Sequence, residues 1–127
     1  MVQETRISLT VPDLAAAIRF YRDALGLSEL QSWDGPEGSG VVLYGGRATI
    51  ELISPGEAAR VDEIEAGARV SGPVRLALHV DDADPVTARL VMSGGQLVGG
   101  PVVTPWGDRN TRVAAPDGMQ LTLFETP

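Results

Sequence analysis

Arg6-Ile-Ser-Leu-Thr-Val11 and Arg75-Leu-Ala-Leu-His-Val80 are one pattern written twice, 69 residues apart. In the first copy Ile7, Leu9 and Val11 alternate with Arg6, Ser8 and Thr10. In the second, Leu76, Leu78 and Val80 alternate with Arg75, Ala77 and His79. A period of two sends successive side chains to opposite faces, so each copy predicts a strand with one buried face. The predicted strands cover 5–11 and 74–80.

What flanks the two copies also matches. Asp13 follows Pro12 as a helix N-cap, and Asp82 stands at the same offset in the second copy. The first helix carries Ile18, Tyr21 and Leu25 at helical spacing and is predicted to stop at Gly26. Tyr21 reads as core. The second runs through Met92 with Val86, Leu90 and Val91 buried, and ends at Gly94-Gly95. Three further strands are expected in each half. In the first they are 27–33, then 41–44 and 48–53 around Gly45-Gly46, with 34–40 as a loop. In the second they are 96–103, then 110–114 and 119–125 around Pro116-Asp117-Gly118, with Pro105 to Asp108 as a loop.

The chain therefore reads as one α+β domain over 1–127. Two βαβββ modules (about 4–54 and 73–126) flank a connector over 55–72. Glu57 to Arg69 of that connector is charged and Ala-rich, with room for one or two helical turns and a solvated acidic face. Half a chain of this size is marginal alone. Two side by side predict a curved mixed sheet around a pocket, with helices on the convex face. Alternation then points Arg6 and Arg75 inward from the first strands, and Glu51 and Thr122 inward from the last. These four occupy equivalent positions and are expected to meet near a pseudo-twofold centre.

Composition sets limits. Apolar residues are 43% of the chain, enough for a real core, and there is no Cys for a disulfide, thiolate ligand or Cys nucleophile. A net charge of -7 disfavours nucleic acid and anionic membranes. No apolar run approaches the roughly 18 residues of a membrane span, and Met1 to Val11 does not read as a signal peptide, so a cytoplasmic location is expected. A single His supports no Ser-His-Asp arrangement, and no Gly-rich stretch carries the Lys-Ser/Thr of a phosphate loop.

Val11-Pro-Asp-Leu-Ala-Ala-Ala-Ile-Arg-Phe-Tyr-Arg-Asp-Ala-Leu-Gly-Leu27 and Ala115-Pro-Asp-Gly-Met-Gln-Leu-Thr-Leu-Phe-Glu125 resemble the vicinal oxygen chelate superfamily. That group includes glyoxalase I, extradiol dioxygenases, fosfomycin-resistance proteins and bleomycin-binding proteins. The resemblance implies the two-module fold and a homodimer. In metal-dependent members each half gives one ligand from its first strand and one from its last. Those positions fall here on Arg6, Glu51, Arg75 and Thr122. A guanidinium has no lone pair to give, so no metal and no cofactor are expected.

The expected function is metal-independent binding of a small anionic or aromatic organic molecule. Arg6 and Arg75 clamp an oxygen of the ligand, and the +1 charge of a floor made of Arg6, Arg75 and Glu51 favours an anion. The plainer reading of the same residues is an internal Arg-Glu-Arg bridge. Ser8, His79, Phe124, Trp33 and Trp106 join the binding wall, with the tryptophans stacking on a flat ligand. The alternative is a lyase, isomerase or dioxygenase, with Glu51 as base or ligand and His79 as proton carrier.

Overall fold

The computed structural model describes residues 2–24 and 27–127, without the side chain of Phe20. The expected helix stop at Gly26 and the apolar position Leu25 lie outside the described residues. The elements run β1 (Val2–Thr10), α1 (Leu14–Ile18) continued by a π-helical segment (Arg19–Ala24), β2 (Glu29–Gly35), β3 (Gly38–Gly45), β4 (Ala48–Ile53), α2 (Pro55–Ala66), β5 (Val74–Val80), α3 (Ala83–Met92), β6 (Gln96–Val103), β7 (Arg109–Ala114) and β8 (Gln120–Glu125). Asp13 and Asp82 cap α1 and α3, accepting from the amides of Ala16 and Asp84.

These eight strands form one curved sheet in the order β2-β3-β4-β1-β5-β8-β7-β6. Exchanging the halves leaves that order unchanged. The two repeated strands pair antiparallel at its centre, with Ser8 opposite Arg75 and Arg6 opposite Ala77. Each then pairs in parallel with the last strand of its own half, Ser8 beside Glu51 and Ala77 beside Thr122. One chain supplies both halves of the sheet.

The alternating apolar residues face the convex side. Val41, Leu43 and Leu52 bury there with Leu9, Ile18 and Tyr21 of the first module. Val80, Val113 and Leu123 do the same with Val86 and Leu90 of α3. Val91, expected on the buried side of α3, is exposed.

Three expectations change around the connector. Residues 34–40 are not a loop: β2 runs to Gly35, β3 begins at Gly38, and Trp33 lies within a strand rather than at its end. Two of the glycines that suggested a loop, Gly38 and Gly40, serve close packing instead. A Cβ on Gly40 would stand 2.2 Å from the Trp33 ring. The connector itself holds 12 helical residues, not one or two turns. Pro55, where the connector begins, is a first-turn proline after Ser54, and Ser54 Oγ accepts from the Glu57 amide at 3.2 Å. Gly67, with φ of 75°, closes the helix in the left-handed conformation. Nor is its acidic face solvated. Glu57, Asp62 and Glu65 are buried, because α2 lies across the concave side of the sheet, opposite α1 and α3.

Arg112 of β7 holds the helix there. Its side chain is 0% exposed and its Nη1 donates to Asp62 Oδ1 at 2.9 Å. Its Nε donates to Glu65 Oε1 at 3.1 Å. Nη2 lies 3.0 Å from the same Glu65 oxygen but is not aligned as a hydrogen bond, so the contact there is coulombic. Asp62 also accepts from the Ser71 hydroxyl, the Val70 and Ser71 amides and Arg69. Burial alone would raise the Asp62 carboxyl. The donors from Ser71, Arg69 and Arg112 together overcome it and hold Asp62 well below the usual carboxylate range.

Two outcomes are expected from unfolding measurements. A Cβ at Gly99 would stand 2.0 Å from the Glu65 carbonyl, where α2 crosses β6, whereas one at Gly72 would meet nothing within 4 Å. Gly99→Ala should therefore cost about 1–3 kcal/mol by urea unfolding and Gly72→Ala nearly nothing. Equal effects would mean that the crossing is not tight. The Asp62 carboxyl titrates lower folded than unfolded, so its stabilisation is complete above pH ~4 and fades as the pH falls further. The stability advantage of the wild type over Asp62→Asn should shrink steadily below pH ~4. A constant gap from pH 7 to pH 3 would count against the charged network.

Candidate functional site

Between the concave face and α2 lies a cavity of about 540 Å³. Its floor comes from the centre of the sheet. Arg6, Glu51, Arg75 and Thr122 do meet there, because β4, β1, β5 and β8 are adjacent strands and all four residues share one parity. Arg75 Nη2 lies 3.5 Å from Glu51 Oε1, and Arg6 Nη1 lies 3.9 Å from Glu51 Oε2. Neither contact is an aligned hydrogen bond. The aligned donor to Glu51 is Ser8 Oγ at 2.6 Å. Ser8 is itself buried beneath Glu51 and takes no part in the cavity wall.

Thr122 is saturated. Its hydroxyl donates to Glu65 Oε1 at 2.7 Å and accepts from Arg75 Nη1 at 2.9 Å and Arg112 Nε at 3.3 Å. A hydroxyl has one proton and two lone pairs, so nothing remains for a ligand or an ion. Arg6 is occupied mainly by Glu4, whose Oε2 lies 3.2 Å from Nη2 and also accepts from Thr49.

The floor therefore lacks the expected surplus of positive charge. Glu4, on the same face of β1 as Arg6 but one residue outside the predicted strand, pairs with Arg6; Glu51 lies between Arg6 and Arg75; and Glu65, carried by the connector helix, pairs with Arg112 beside Thr122. Among the described residues, no group of three or more His, Asp or Glu side chains is placed to hold a metal ion. At the four positions themselves an ion would find one carboxylate between two guanidiniums and one saturated hydroxyl. A divalent cation needs several free oxygen or nitrogen donors, so this donor set does not fit one.

The wall is aromatic on two sides. Trp33 of β2 and Trp106 of the β6–β7 loop belong to the outer hairpins of opposite halves, and both line the cavity. α2 anchors both. Trp33 Nε1 donates to Glu57 Oε2 at 3.0 Å, and the Arg60 guanidinium lies 5.5 Å over the Trp106 ring. Phe124 closes a third side beneath Arg6, with the guanidinium carbon 5.3 Å from its ring centre. His79 is not part of the wall. Its ring stacks on Phe124 at 5.0 Å, and its Nε2 lies 3.3 Å from Thr126 Oγ1.

Several wall residues were not singled out in the sequence. Glu57, Arg60 and Glu65 arrive on α2, and Asp108 and Asn110 come from the start of β7. Asn110 and Arg112 do alternate with buried Thr111 and Val113, a period-two signal that could have marked them as inward-facing. Burial pushes the Asp108 carboxyl up from its ordinary value. The Trp106 N–H at 3.2 Å and the charges of Arg6 and His79 pull against that rise, and Glu65 adds to it.

Comparison with known proteins places this geometry. No match is found among curated proteins. The model of the Glyoxalase/Bleomycin resistance protein/Dioxygenase superfamily matches residues 5–123. The fold is similar to that of hypothetical protein BH1468 from Bacillus halodurans C-125, at a TM-score of 0.70 and 19% identity over 96% of this chain and 92% of that one. It is also similar to methylmalonyl-CoA epimerase from Mycobacterium tuberculosis, at a TM-score of 0.64 and 22% identity over 99% and 87%. A glyoxalase/bleomycin resistance protein/dioxygenase superfamily member from Vibrio splendidus 12B01 aligns at a TM-score of 0.65 and 17% identity over 96% and 97%. At these identities the solved structures speak to the fold alone. With a family model spanning both modules, the chain belongs to the glyoxalase/bleomycin resistance protein/dioxygenase superfamily.

Proposed function

We propose that the chain binds a small planar organic molecule in the concave cavity, without a resident metal or cofactor. The observation that carries this reading is the pair of tryptophans, one from each half, on the wall of a cavity of about 540 Å³. Ligand sites of this kind are concave, of roughly 300–1,000 Å³, and combine aromatic walls with a few placed polar groups. Here the placed groups are Arg6 and Arg75. Their contacts to Glu51, at 3.9 and 3.5 Å, are too long and poorly aligned to use up the N–H groups of Nη1 and Nη2. A carbonyl, phenolate or carboxylate oxygen of the ligand takes those donors, and the flat body lies between the tryptophans.

The second reading is an isomerase or lyase with Glu51 as base. The observation that favours it is the position of Glu51 on the cavity floor, braced by the Ser8 hydroxyl at 2.6 Å. Its cost is that the Ser8 hydroxyl and two nearby guanidiniums already surround the carboxylate that would have to reach the substrate proton.

Trp106 is 43% exposed, so its removal should spare the fold. Calorimetric titration with a planar acid such as 2-naphthoate should show binding, weakened about three- to tenfold by Trp106→Ala. Unchanged affinity in the variant would remove the tryptophan wall from the site. Elemental analysis of protein purified without chelator is expected to find no stoichiometric zinc, nickel, manganese or iron. Finding one would overturn the metal-free reading.

A further inference from the structure

Ser54-Pro55-Gly56-Glu57 has the spacing of a capping box, in which the acid at the third helical position turns back to accept from the N-cap amide. Glu57 does not do this. The Ser54 amide donates instead to the Ser39 carbonyl of β3 at 2.9 Å, which releases the Glu57 carboxylate from the helix end. The side chain is nonetheless buried, and both its oxygens go to the cavity wall. Oε2 accepts from Trp33 Nε1 at 3.0 Å, and Oε1 accepts from Arg60 Nη1 at 3.4 Å. The Arg60 guanidinium in turn lies over the Trp106 ring. One carboxylate therefore links the tryptophans of the two halves.

The backbone under this link is closely packed. A Cβ on Gly38 would stand 2.7 Å from Glu57 Cα, so the start of α2 lies directly on β3. Gly40 receives the benzenoid edge of Trp33 in the same way. Trp33 is thus held along one edge by β3 and at its N–H by α2, and the ring cannot turn without losing one of them. A ring face held at one angle matches a flat body better than a thick one, and a wall ordered in advance loses less entropy when the ligand arrives.

We infer that Glu57 is a positioning residue of the cavity. It fixes Trp33 directly and Trp106 through Arg60, and so selects a fused aromatic ligand over a saturated one of the same charge and skeleton. This deepens the cavity reading proposed above and rests on it. The Trp33 bond is the shorter of the two links, so the selection follows it first.

The probes are 2-naphthoate and decahydro-2-naphthoate, its fully saturated counterpart. Calorimetric titration of the wild type should show the aromatic acid binding about three- to tenfold more tightly, the size of one aromatic pair beyond its buried area. Glu57→Ala, with folding checked by thermal melting, should bring that ratio close to one. Glu57→Gln should keep most of it, because the amide oxygen still accepts from Trp33 Nε1. A merely structural role would weaken both acids alike; an unchanged ratio in Glu57→Ala would therefore overturn the positioning role and leave the cavity reading standing. So would a ratio in Glu57→Gln as low as in Glu57→Ala, or equal binding of the two acids to the wild type. Tryptophan occurs twice in the chain, so the wild type also gives a direct readout. Of its two indole N–H resonances, assigned through Trp106→Phe, that of Trp33 should exchange more slowly with solvent, and equal exchange would mean that Glu57 does not hold it. Binding of neither acid would overturn the cavity reading and the positioning role with it.

Discussion

A guanidinium sealed from water is the constraint on which the rest of the molecule depends. Arg112 ties β7 to α2 through Asp62 and Glu65, and to β8 through Thr122. Burying such a charge is costly, and its pairing repays the cost only when every partner is in place. The gain is in definition more than in net stability. With Arg112 fixed in the sheet, one placement of α2 satisfies Asp62 and Glu65 together, and the Gly99 backbone under the Glu65 carbonyl confirms how closely the helix sits. The cavity exists because α2 is held at that height above the concave face.

From Arg112 the polar contacts continue across the sheet. Thr122 links Arg112 to Arg75, Arg75 reaches Glu51, and Glu51 takes the Ser8 hydroxyl. The chain of contacts crosses the pseudo-twofold centre but does not obey it. Ser8 and Ala77 are equivalent, as are Glu51 and Thr122, yet one pair is polar and acidic while the other is apolar and neutral. The backbone is symmetric and the chemistry is not. The first half offers its carboxylate to the cavity, and the second half draws its own from the connector, through Glu65.

Much of this was legible beforehand. Strand alternation, the Asp13 and Asp82 caps and the repeat determine the two modules, their single curved sheet and the convex core, because local propensity and burial agree at each of those positions. They also bring Arg6, Glu51, Arg75 and Thr122 to one floor. What went unread was α2 and everything it carries. A helix bearing Glu57, Asp62 and Glu65 has the composition of a solvated surface, and its burial depends on Arg112, which lies 50 residues from Asp62 in sequence. The glycines around Trp33 misled for a related reason. Their lack of a side chain serves the Trp33 ring across the hairpin at Gly40 and the approach of α2 at Gly38, although it looks like local turn chemistry.

The sequence by itself determined the α+β class, the twofold repeat and the inward parity of each strand, since these follow from periods of two and 3.6 and from capping residues acting over a few positions. Only the tertiary structure decided the charge balance and the partners of the site. Whether a carboxylate is solvated or paired depends on which residue distant in sequence comes within about 4 Å of it, and coulombic and hydrogen-bond energies at that range leave no periodic trace along the chain.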